Sequence, residues 1–465
     1  MRSPTFHFRR GMMSVVAMLY MLLFAVLAVG FYALVNVSSQ VAYNDISVTR
    51  AQYAAETGIE FARHQLSRVS IPATTTDSGV TSELYADLGQ QMNGTANLDG
   101  RSITRDGSTI SIPGSGDVAG GNGVHASRFN VTVIDWPQQG KVVVRSTGTH
   151  GNISRSIQLD FSRVPRRSSV FDYAVASRGQ IVLSKGAVTT VDPGNLALAK
   201  AMSALVDNAA VRLTGGTLGG RLAVLNGADA VLTRGSVDGS SSMADIRANH
   251  MDVLDAPPEF PTIDPTAYRA YATNTYSSSA RTQTNIRIPA GTGTPQNPVR
   301  FNSNDTVQGI LYIESPNSVR FNGNFNLKGI LVMAPNAAGE NSTDVLDFRG
   351  NFSQLPLPSG SAFDAMRAAS GVSILAPTAN VMMSGSVDSL MRGNVIVNTF
   401  DFNGAADIVI DHGTLMTMKA AANSAVFNGK TVKFTSTGAN NLPAVGVAFS
   451  RNYKPDAGSY EELLP

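Results

Sequence analysis

The N-terminal part of the chain carries two successive patterns of apolar residues. From Met12 to Val35 the chain runs without a single charge. A helix of this length is about 36 Å long, which is enough to cross a hydrocarbon core of about 30 Å. From Asn36 to Val69 apolar or small residues recur mostly at steps of three and four, which is typical of an amphipathic helix. These positions are Ala42, Ile46, Tyr53, Ile59, Ala62, Leu66 and Val69. The pattern predicts one helix over residues 12–69.

Beyond residue 125 the period changes from helical to alternating. The segments 128–134, 141–147 and 154–161 alternate apolar and polar residues and are separated by short turns, as strands do. Strands joined by short turns favour an antiparallel meander. A polar connector and this small sheet together occupy the predicted segment 70–165.

A short motif of Phe, a polar residue and a small residue recurs in the C-terminal half. The motif begins at Phe301, Phe321, Phe348, Phe402 and Phe427, so that successive positions differ by 20, 27, 54 and 25. The spacing of 54 equals two turns of 27, and 381–385 is a candidate for the missing turn. Periods in the twenties with Gly and Asn at corners are typical of a parallel β-helix. A β-sandwich with irregular loops remains an alternative.

Three of these motifs give a more specific prediction. We expect the rings of Phe321, Phe402 and Phe427 to face inward at equivalent places in the coils, because stacked coils bury large side chains between them. Glycines should form the corners that follow, because tight corners need positive φ angles. These glycines are Gly323, Gly404 and Gly429.

The predicted fold is thus α+β to mainly β, with a long N-terminal transmembrane helix, a small antiparallel sheet and a parallel β-helix. The predicted segments are a basic leader at 1–11, the helix at 12–69, the connector and meander at 70–165, β-rich coils at 166–250, a Pro-rich excursion at 251–300, the β-helix at 301–450 and a C-terminal tail at 451–465.

The composition argues against several classes of function. The 465 residues include 36 Lys and Arg against 34 Asp and Glu, a net charge of +2, so there is no general electrostatic case for nucleic acid. There is no cysteine, which excludes disulfides, Cys-ligated zinc, iron–sulfur clusters and a thiol nucleophile. We expect no cofactor and no metal.

The densest set of candidate catalytic groups is Asp401, Asp407, Asp411 and His412. These residues could form a catalytic edge on the β-helix, or they could be corner residues that satisfy turn amides. The second interpretation is favoured because Asp is a common corner residue and no hydrolase, phosphate-binding or zinc-protease motif accompanies the set. We therefore expect no catalytic residue and no enzymatic activity.

The residues before the apolar run predict its orientation. Arg2, Arg9 and Arg10 precede it and no acid does, so the N-terminus should stay in the cytoplasm and the bulk of the chain outside. The chain is expected in the cytoplasmic (inner) membrane with the lipid bilayer as a partner. A cleavable secretory signal is the alternative, although the apolar region of such a signal is normally shorter than this one.

The junction Arg9-Arg10-Gly11-Met12, followed by the apolar run, resembles the leader of type IV pilins and type II secretion pseudopilins. The stretch from Arg50 to Ala62, RAQYAAETGIEFA, is similar to a segment of PilX-like minor pilins. The resemblance implies that a prepilin peptidase cuts between Gly11 and Met12 and that other pilin-like subunits are partners. Major pilins usually carry Glu at the fifth mature position, where this chain has Val16, which fits a minor or tip role.

The sequence therefore predicts a membrane-anchored, pilin-like structural or assembly protein of a type IV pilus or type II secretion-like system, with a β-helical head. Two alternatives stay open: a tethered polysaccharide-active enzyme built on the β-helix, and a passive cell-envelope protein. An unrelated small β domain beside an ordinary anchor is the alternative for the N-terminal part.

Overall fold

A computed structural model describes residues 10–72, 75–119, 126–136, 139–165, 168–369, 371–384, 389–443 and 445–463. The chain divides into two compact units. The helix-and-sheet unit comprises Met1–Arg166 and Arg451–Pro465, and the β-helix unit comprises Arg167–Ser450. Most of the predicted leader at 1–11 lies outside the described residues.

The helix-and-sheet unit begins with a helix of 59 residues, α1 (Arg10–Arg68), as the sequence predicts. The predicted connector contains more structure than expected: helix α2 (Val80–Met92) and three short strands, β1 (Thr104–Asp106), β2 (Thr109–Ile112) and β3 (Val118–Ala119). One face of helix α2 is buried, and its residues recur at steps of three and four, the spacing of an amphipathic helix. The apolar residues of this face are Val80, Leu84, Leu88 and Met92.

Three longer strands form the centre of the sheet. They are β4 (Arg128–Trp136), β5 (Lys141–His150) and β6 (Ile153–Pro165). β4 pairs with β5 and β5 with β6, both antiparallel, which is the predicted meander. Alternate residues of β5 are buried and face α1, which packs against β4, β5 and β6.

The β-helix unit contains one continuous parallel sheet of 23 strands. A parallel β-helix was the predicted fold of this part of the chain, and the structure confirms it. The strands of its first section are β7 (Val175–Ser177), β8 (Ile181–Leu183), β9 (Ala187–Thr190), β10 (Ala201–Ser203), β11 (Val211–Leu218), β12 (Leu222–Leu225), β13 (Ala230–Val237) and β14 (Met251–Leu254). A short helix, α3 (Met243–Asp245), precedes β14, and β15 (Thr262–Ile263) lies outside the parallel sheet.

The second section of the β-helix carries the remaining strands of this sheet. They are β16 (Asn274–Thr275), β17 (Thr282–Ile288), β18 (Val299–Phe301), β19 (Thr306–Ile313), β20 (Ser318–Phe321), β21 (Phe325–Met333), β22 (Val345–Phe348), β23 (Phe352–Gln354), β24 (Val372–Met383), β25 (Ser389–Arg392), β26 (Asn394–Phe402), β27 (Ile408–Asp411), β28 (Leu415–Thr417), β29 (Ala425–Phe427) and β30 (Thr431–Phe434). Helix α4 (Asp364–Ala368) precedes β24, and β31 (Val447–Ala448) pairs with β15.

The two sections stack in an order that the sequence does not follow. The last coil, which contains β28, β29 and β30, pairs in parallel with the first, which contains β7, β8 and β9. The first coil also pairs with β10 and β11 on its other side. The first coil therefore lies inside the stack. The coils that follow it, through β14, extend to one end of the stack; the chain then resumes at β16 at the other end and returns coil by coil to the first.

The predicted Pro-rich excursion at 251–300 marks the join between the two sections, although strands begin again inside it. Residues 255–273 carry no strand of the parallel sheet, whereas β14, β16, β17 and the start of β18 all belong to it. Tyr268 is fully buried, and its hydroxyl donates a hydrogen bond to the Val445 carbonyl oxygen at 2.9 Å. The segment is thus held against its own unit by a buried anchor.

The predicted C-terminal tail forms two strands of the first sheet, β32 (Arg451–Pro455) and β33 (Glu461–Leu463). Both pair antiparallel with β6, and Arg451 lies opposite Pro165. The β-helix unit is therefore inserted between two hydrogen-bonded strands. In a β-helix wound from one end to the other, the first and last coils would lie far apart. Here the first and last coils are neighbours, which explains how the inserted segment can begin after β6 and end before β32, two paired strands.

The structure places the repeated phenylalanines in one column along the core. The register runs from Phe301 to Phe321, Phe348, Met383, Phe402, Phe427 and Leu183. The rings of Phe321 and Phe348 are stacked at 4.4 Å between centroids, and Phe321, Phe402 and Phe427 are all buried. Met383 occupies the missing turn.

The glycines that follow these phenylalanines lie at corners of the coils for two different reasons. Gly323 has a φ of +62°, a conformation that favours glycine. Gly429 is stacked on the Gly404 backbone, where a Cβ would lie 2.6 Å from the Gly404 carbonyl oxygen. The corner at Gly429 therefore needs glycine because the neighbouring coil is so close.

Candidate membrane and assembly surface

The first candidate site is the exposed part of α1. Every described residue from Met13 to Ile46 is exposed, and the first charged residue after Arg10 is Asp45. This is the one helix of the described residues that is long and apolar enough to cross a membrane. A fully exposed apolar helix of this length is costly in water, so it needs lipid or another apolar partner to cover it.

The buried face of α1 begins at Ser47 and continues to the end of the helix. Its residues follow steps of three and four, and they are mostly small: Ser47, Ala51, Ala54, Ala55, Gly58, Ile59, Ala62, Gln65 and Leu66. Of the positions that define the predicted amphipathic pattern, Ile59, Ala62 and Leu66 are buried, as is Val69 just after the helix. The earlier positions Ala42, Ile46 and Tyr53 are exposed.

Small residues are buried here because the helix backbone lies unusually close to strand β5. A Cβ at Gly148 would lie 2.1 Å from the Ala51 carbonyl oxygen and 2.2 Å from the Ala55 amide nitrogen. A Cβ at Gly58 would lie 2.1 Å from Ser146 Oγ. The segment RAQYAAETGIEFA therefore has a structural role, since its small residues fit the helix onto the sheet.

The predicted cleavage site lies at the beginning of this helix. Gly11 and Met12 are in the first turn of α1, and side chains are described from Met13 onward. Val16, at the position where major pilins usually carry Glu, is half exposed on the apolar surface. The described part of this surface therefore presents no charge to a lipid or protein neighbour before Asp45.

The second candidate site is the cluster at Asp401, Asp407, Asp411 and His412. The structure gives each carboxylate its own partner: Asp401 accepts from Asn403 Nδ2 at 2.6 Å, and Asp407 accepts from Lys433 Nζ at 2.7 Å. Burial raises the pKa of Asp401, whereas the hydrogen bond from Lys433 lowers the pKa of Asp407. No hydrogen bond joins two of these carboxylates within the described part of the chain.

Asp411 lies in the most elaborate part of the cluster. Its Oδ1 contacts His412 Nδ1 at 2.7 Å and accepts from Thr435 Oγ1 at 2.7 Å, while Arg392 Nη1 donates to Oδ2 at 3.3 Å. Burial acts to raise the pKa of Asp411, but the bonds from Thr435 and His412 and the charge of Arg392 outweigh it and lower that pKa. An ionised carboxylate held by three donors is a poor general acid.

Arg392 reaches Asp411 through the stacking of coils, which no local sequence pattern reveals. The two residues are paired directly in the register of β25 and β27, nineteen positions apart in the chain. His412 follows the last residue of β27 and has a φ of +53°, in the left-handed region. Among the described residues, no group of three or more His, Cys, Asp or Glu side chains is arranged to hold a metal ion.

Comparison with known proteins identifies no family. No protein-family profile and no curated protein matches the chain. A solved structure that resembles it is the competence-associated pilin ComZ from Thermus thermophilus, with 13% sequence identity over 90% of this chain and 98% of that one. The TM-score of 0.26 is too low to establish a common fold, so the inferences below depend on this chain's own helix and sheets.

Proposed function

We propose that this chain is a membrane-anchored, pilin-like structural protein that carries a β-helix outside the cytoplasmic membrane. The observation behind the proposal is the division of α1. Its first part, Met13–Ile46, is exposed and is apolar as far as Val35, and its second part is the helix on which an antiparallel sheet folds. One helix that serves as anchor and as core is the architecture expected for a pilin-like subunit.

The continuity of α1 favours an anchor over a removed signal. A signal peptidase cut after Val35 would leave the exposed stretch 36–46 as a free helix end, with the core still beginning at Ser47. Cleavage at Gly11 would instead leave the whole apolar segment attached to the folded unit. The second arrangement gives the exposed apolar residues a function, which is lateral association with lipid and with other subunits.

We further propose a minor, PilX-like role in a type IV pilus or type II secretion-like filament. Val16 lacks the charge that major pilins use to align with a neighbouring N-terminus. The insertion of Arg167–Ser450 between strands β6 and β32 makes this subunit much bulkier than its helix-and-sheet unit alone. A bulky insertion suits a subunit present in few copies. Assembly requires no catalysis, and the separately partnered carboxylates support a non-enzymatic role.

The orientation can be tested with single cysteines, because the natural chain has none. We expect Thr49→Cys, an exposed position on α1 beyond the apolar segment, to react with a membrane-impermeant maleimide in spheroplasts. The same variant should be protected in inside-out vesicles, because the positive-inside rule places the leader in the cytoplasm. Labelling in the vesicles with protection in spheroplasts would reverse the proposed topology.

Processing is tested by N-terminal sequencing of the protein extracted from membranes. We expect the mature chain to begin at Met12, and we expect Gly11→Val to abolish the cut, because a branched side chain at the scissile glycine would obstruct the peptidase. Gly30→Val is the matched control, since a Cβ at Gly30 meets no atom within 4 Å. A mature N-terminus beyond Val35, or normal cutting of Gly11→Val, would contradict the pilin-like assignment.

A further inference from the structure

A cavity on the β-helix unit has no part in membrane anchoring or in the packing of the coils. Its volume is about 390 Å³, within the range of small-molecule sites. Gly329, Gly371 and Gly393 are among its lining residues, so part of the lining is backbone without side chains. The lining includes a set of polar side chains, here called the polar wall, and a set of apolar ones, here called the apolar wall, so the cavity offers both kinds of chemistry to a ligand.

The polar wall is formed by Arg392, Asp411, His412 and Asn441. These groups are held by the protein itself: Arg392 Nε donates to the Gln354 carbonyl oxygen at 3.3 Å, and Asn441 Nδ2 donates to the His412 carbonyl oxygen at 2.9 Å. Gln354 is buried, and its Oε1 accepts from the Arg392 amide at 2.5 Å. The wall is therefore arranged before any ligand arrives, which lowers the entropic cost of binding.

Part of the hydrogen-bonding capacity of this wall is unused. Arg392 Nη2, His412 Nε2 and Asn441 Oδ1 have no hydrogen-bond partner among the described residues, and within the same residues Asp411 Oδ2 accepts from one donor only. The side chains of Arg392 and His412 are 45% and 64% exposed. The wall thus offers both donors and acceptors to a molecule in the cavity.

The apolar wall is formed by the segment Leu355–Leu357 and by Met366 of helix α4, together with Ile330 and Val372, which follow Gly329 and Gly371 in the chain. Leu355 is 37% exposed, a large fraction for a leucine at the edge of a packed coil. A ligand in the cavity would therefore bury an apolar face against this wall while its polar groups meet Arg392 and Asp411.

The balance of charge selects the class of ligand. Arg392 and Asp411 cancel, and an anion would meet the Asp411 carboxylate just as a cation would meet the Arg392 guanidinium. A neutral molecule with several hydroxyls can donate to the carboxylate and accept from the guanidinium at the same time. A pyranose ring has such hydroxyls together with an apolar C–H face.

We propose that this cavity binds one neutral sugar residue, with its hydroxyls on Arg392, Asp411 and His412 and its C–H face against Leu355–Leu357. Binding at this cavity goes beyond the proposed structural role and does not depend on it. The β-helix would attach a membrane-anchored subunit to a neutral glycan without cleaving it.

The test is saturation-transfer NMR and calorimetry on the full chain in lipid nanodiscs. The probes are the methyl glycosides of glucose, galactose, mannose and N-acetylglucosamine, with glucuronate and glucosamine as charged analogues. We expect at least one neutral glycoside to bind and to exceed its charged analogue in affinity. Asp411→Asn should weaken that binding by roughly tenfold or more, as the loss of a charged hydrogen bond does.

Two variants separate binding from folding. Asp407→Asn is the matched control, because Asp407 is also paired with a cation, just before the same strand, but does not line the cavity. His412→Asn removes Nε2 and keeps a residue that tolerates the positive φ of this position, so it should weaken binding with unchanged thermal unfolding. Failure of every neutral glycoside, tighter binding of a charged analogue, or equal affinities of Asp411→Asn and Asp407→Asn would each overturn the proposal.

Discussion

Replacing Phe402 with alanine should lower the free energy of unfolding of the β-helix unit by about 3–5 kcal/mol. Phe402 is fully buried in the column of core side chains, between Met383 on one neighbouring coil and Phe427 on the other. Truncation removes the transfer free energy of the ring and leaves a cavity that parallel strands on both sides hold open. Both contributions explain the size of the expected loss.

The loss should spread to the adjacent coils, because a solenoid is stabilised mainly by the interfaces between its repeats. We expect amide hydrogen exchange to become faster in β24 and β29 as well as in β26, which can be measured by mass spectrometry on the full chain. Met382→Ala is the matched control: Met382 precedes Met383 on the same strand but is 42% exposed, so its change should stay within about 0.5 kcal/mol. Equal effects of the two variants would contradict the inward column.

The repeat illustrates what sequence spacing can predict. The interval of 54 between Phe348 and Phe402 equals two turns, and the structure pairs Met383 with both residues. The interval alone therefore predicts one further turn between these two phenylalanines. A motif that requires Phe misses this turn, because an inward position accepts any large apolar side chain of suitable volume.

The order of the coils could not be predicted from the same pattern. Spacing along the chain sets the length of a turn, but every coil of a β-helix presents similar parallel edges above and below. The pairing of Phe427 with Leu183 brings together residues more than two hundred positions apart. No local signal distinguishes this pairing from a simple end-to-end winding, so only the folded chain reveals that the first coil lies inside the stack.

The candidate ligand cavity was predictable to the same limited extent. Asp411 and His412 are neighbours in the sequence and could be noticed together. Arg392 joins them through the register of two strands, and Asn441 joins them through a hydrogen bond to the His412 backbone. Much of the apolar wall comes from the loop and the helix between β23 and β24. Their positions depend on an insertion into the regular coil, which the repeat spacing does not describe.

The buried face of α1 was predicted only in part, for a steric reason. The apolar or small positions selected at steps of three and four include Ile46 and Tyr53, which are exposed, and leave out Ala51 and Ala55, which are buried. Large residues pack where two elements are separated by a normal distance. When the backbones approach closely, only small residues fit, so the buried positions are occupied mainly by alanine and glycine.

Replacing Gly148 with alanine should therefore separate α1 from the sheet. The new Cβ would lie 2.1 Å from the Ala51 carbonyl oxygen and 2.2 Å from the Ala55 amide nitrogen, and both atoms belong to the helix backbone, which cannot rotate away. We expect a loss of about 1–3 kcal/mol or more in the free energy of unfolding of the helix-and-sheet unit, as overpacking a tight interface costs.

Limited proteolysis and hydrogen exchange of residues 47–68 would detect the separation, because this part of α1 would lose its cover. Gly151→Ala is the control. Gly151 has a φ of +58° and no atom within 4 Å of an added Cβ, so the substitution introduces backbone strain of about 1–2 kcal/mol without touching the helix. If α1 is bound to β5 through this contact, only Gly148→Ala should expose residues 47–68. Equal protection of the helix in both variants would show that its close approach to β5 is not what holds it on the sheet.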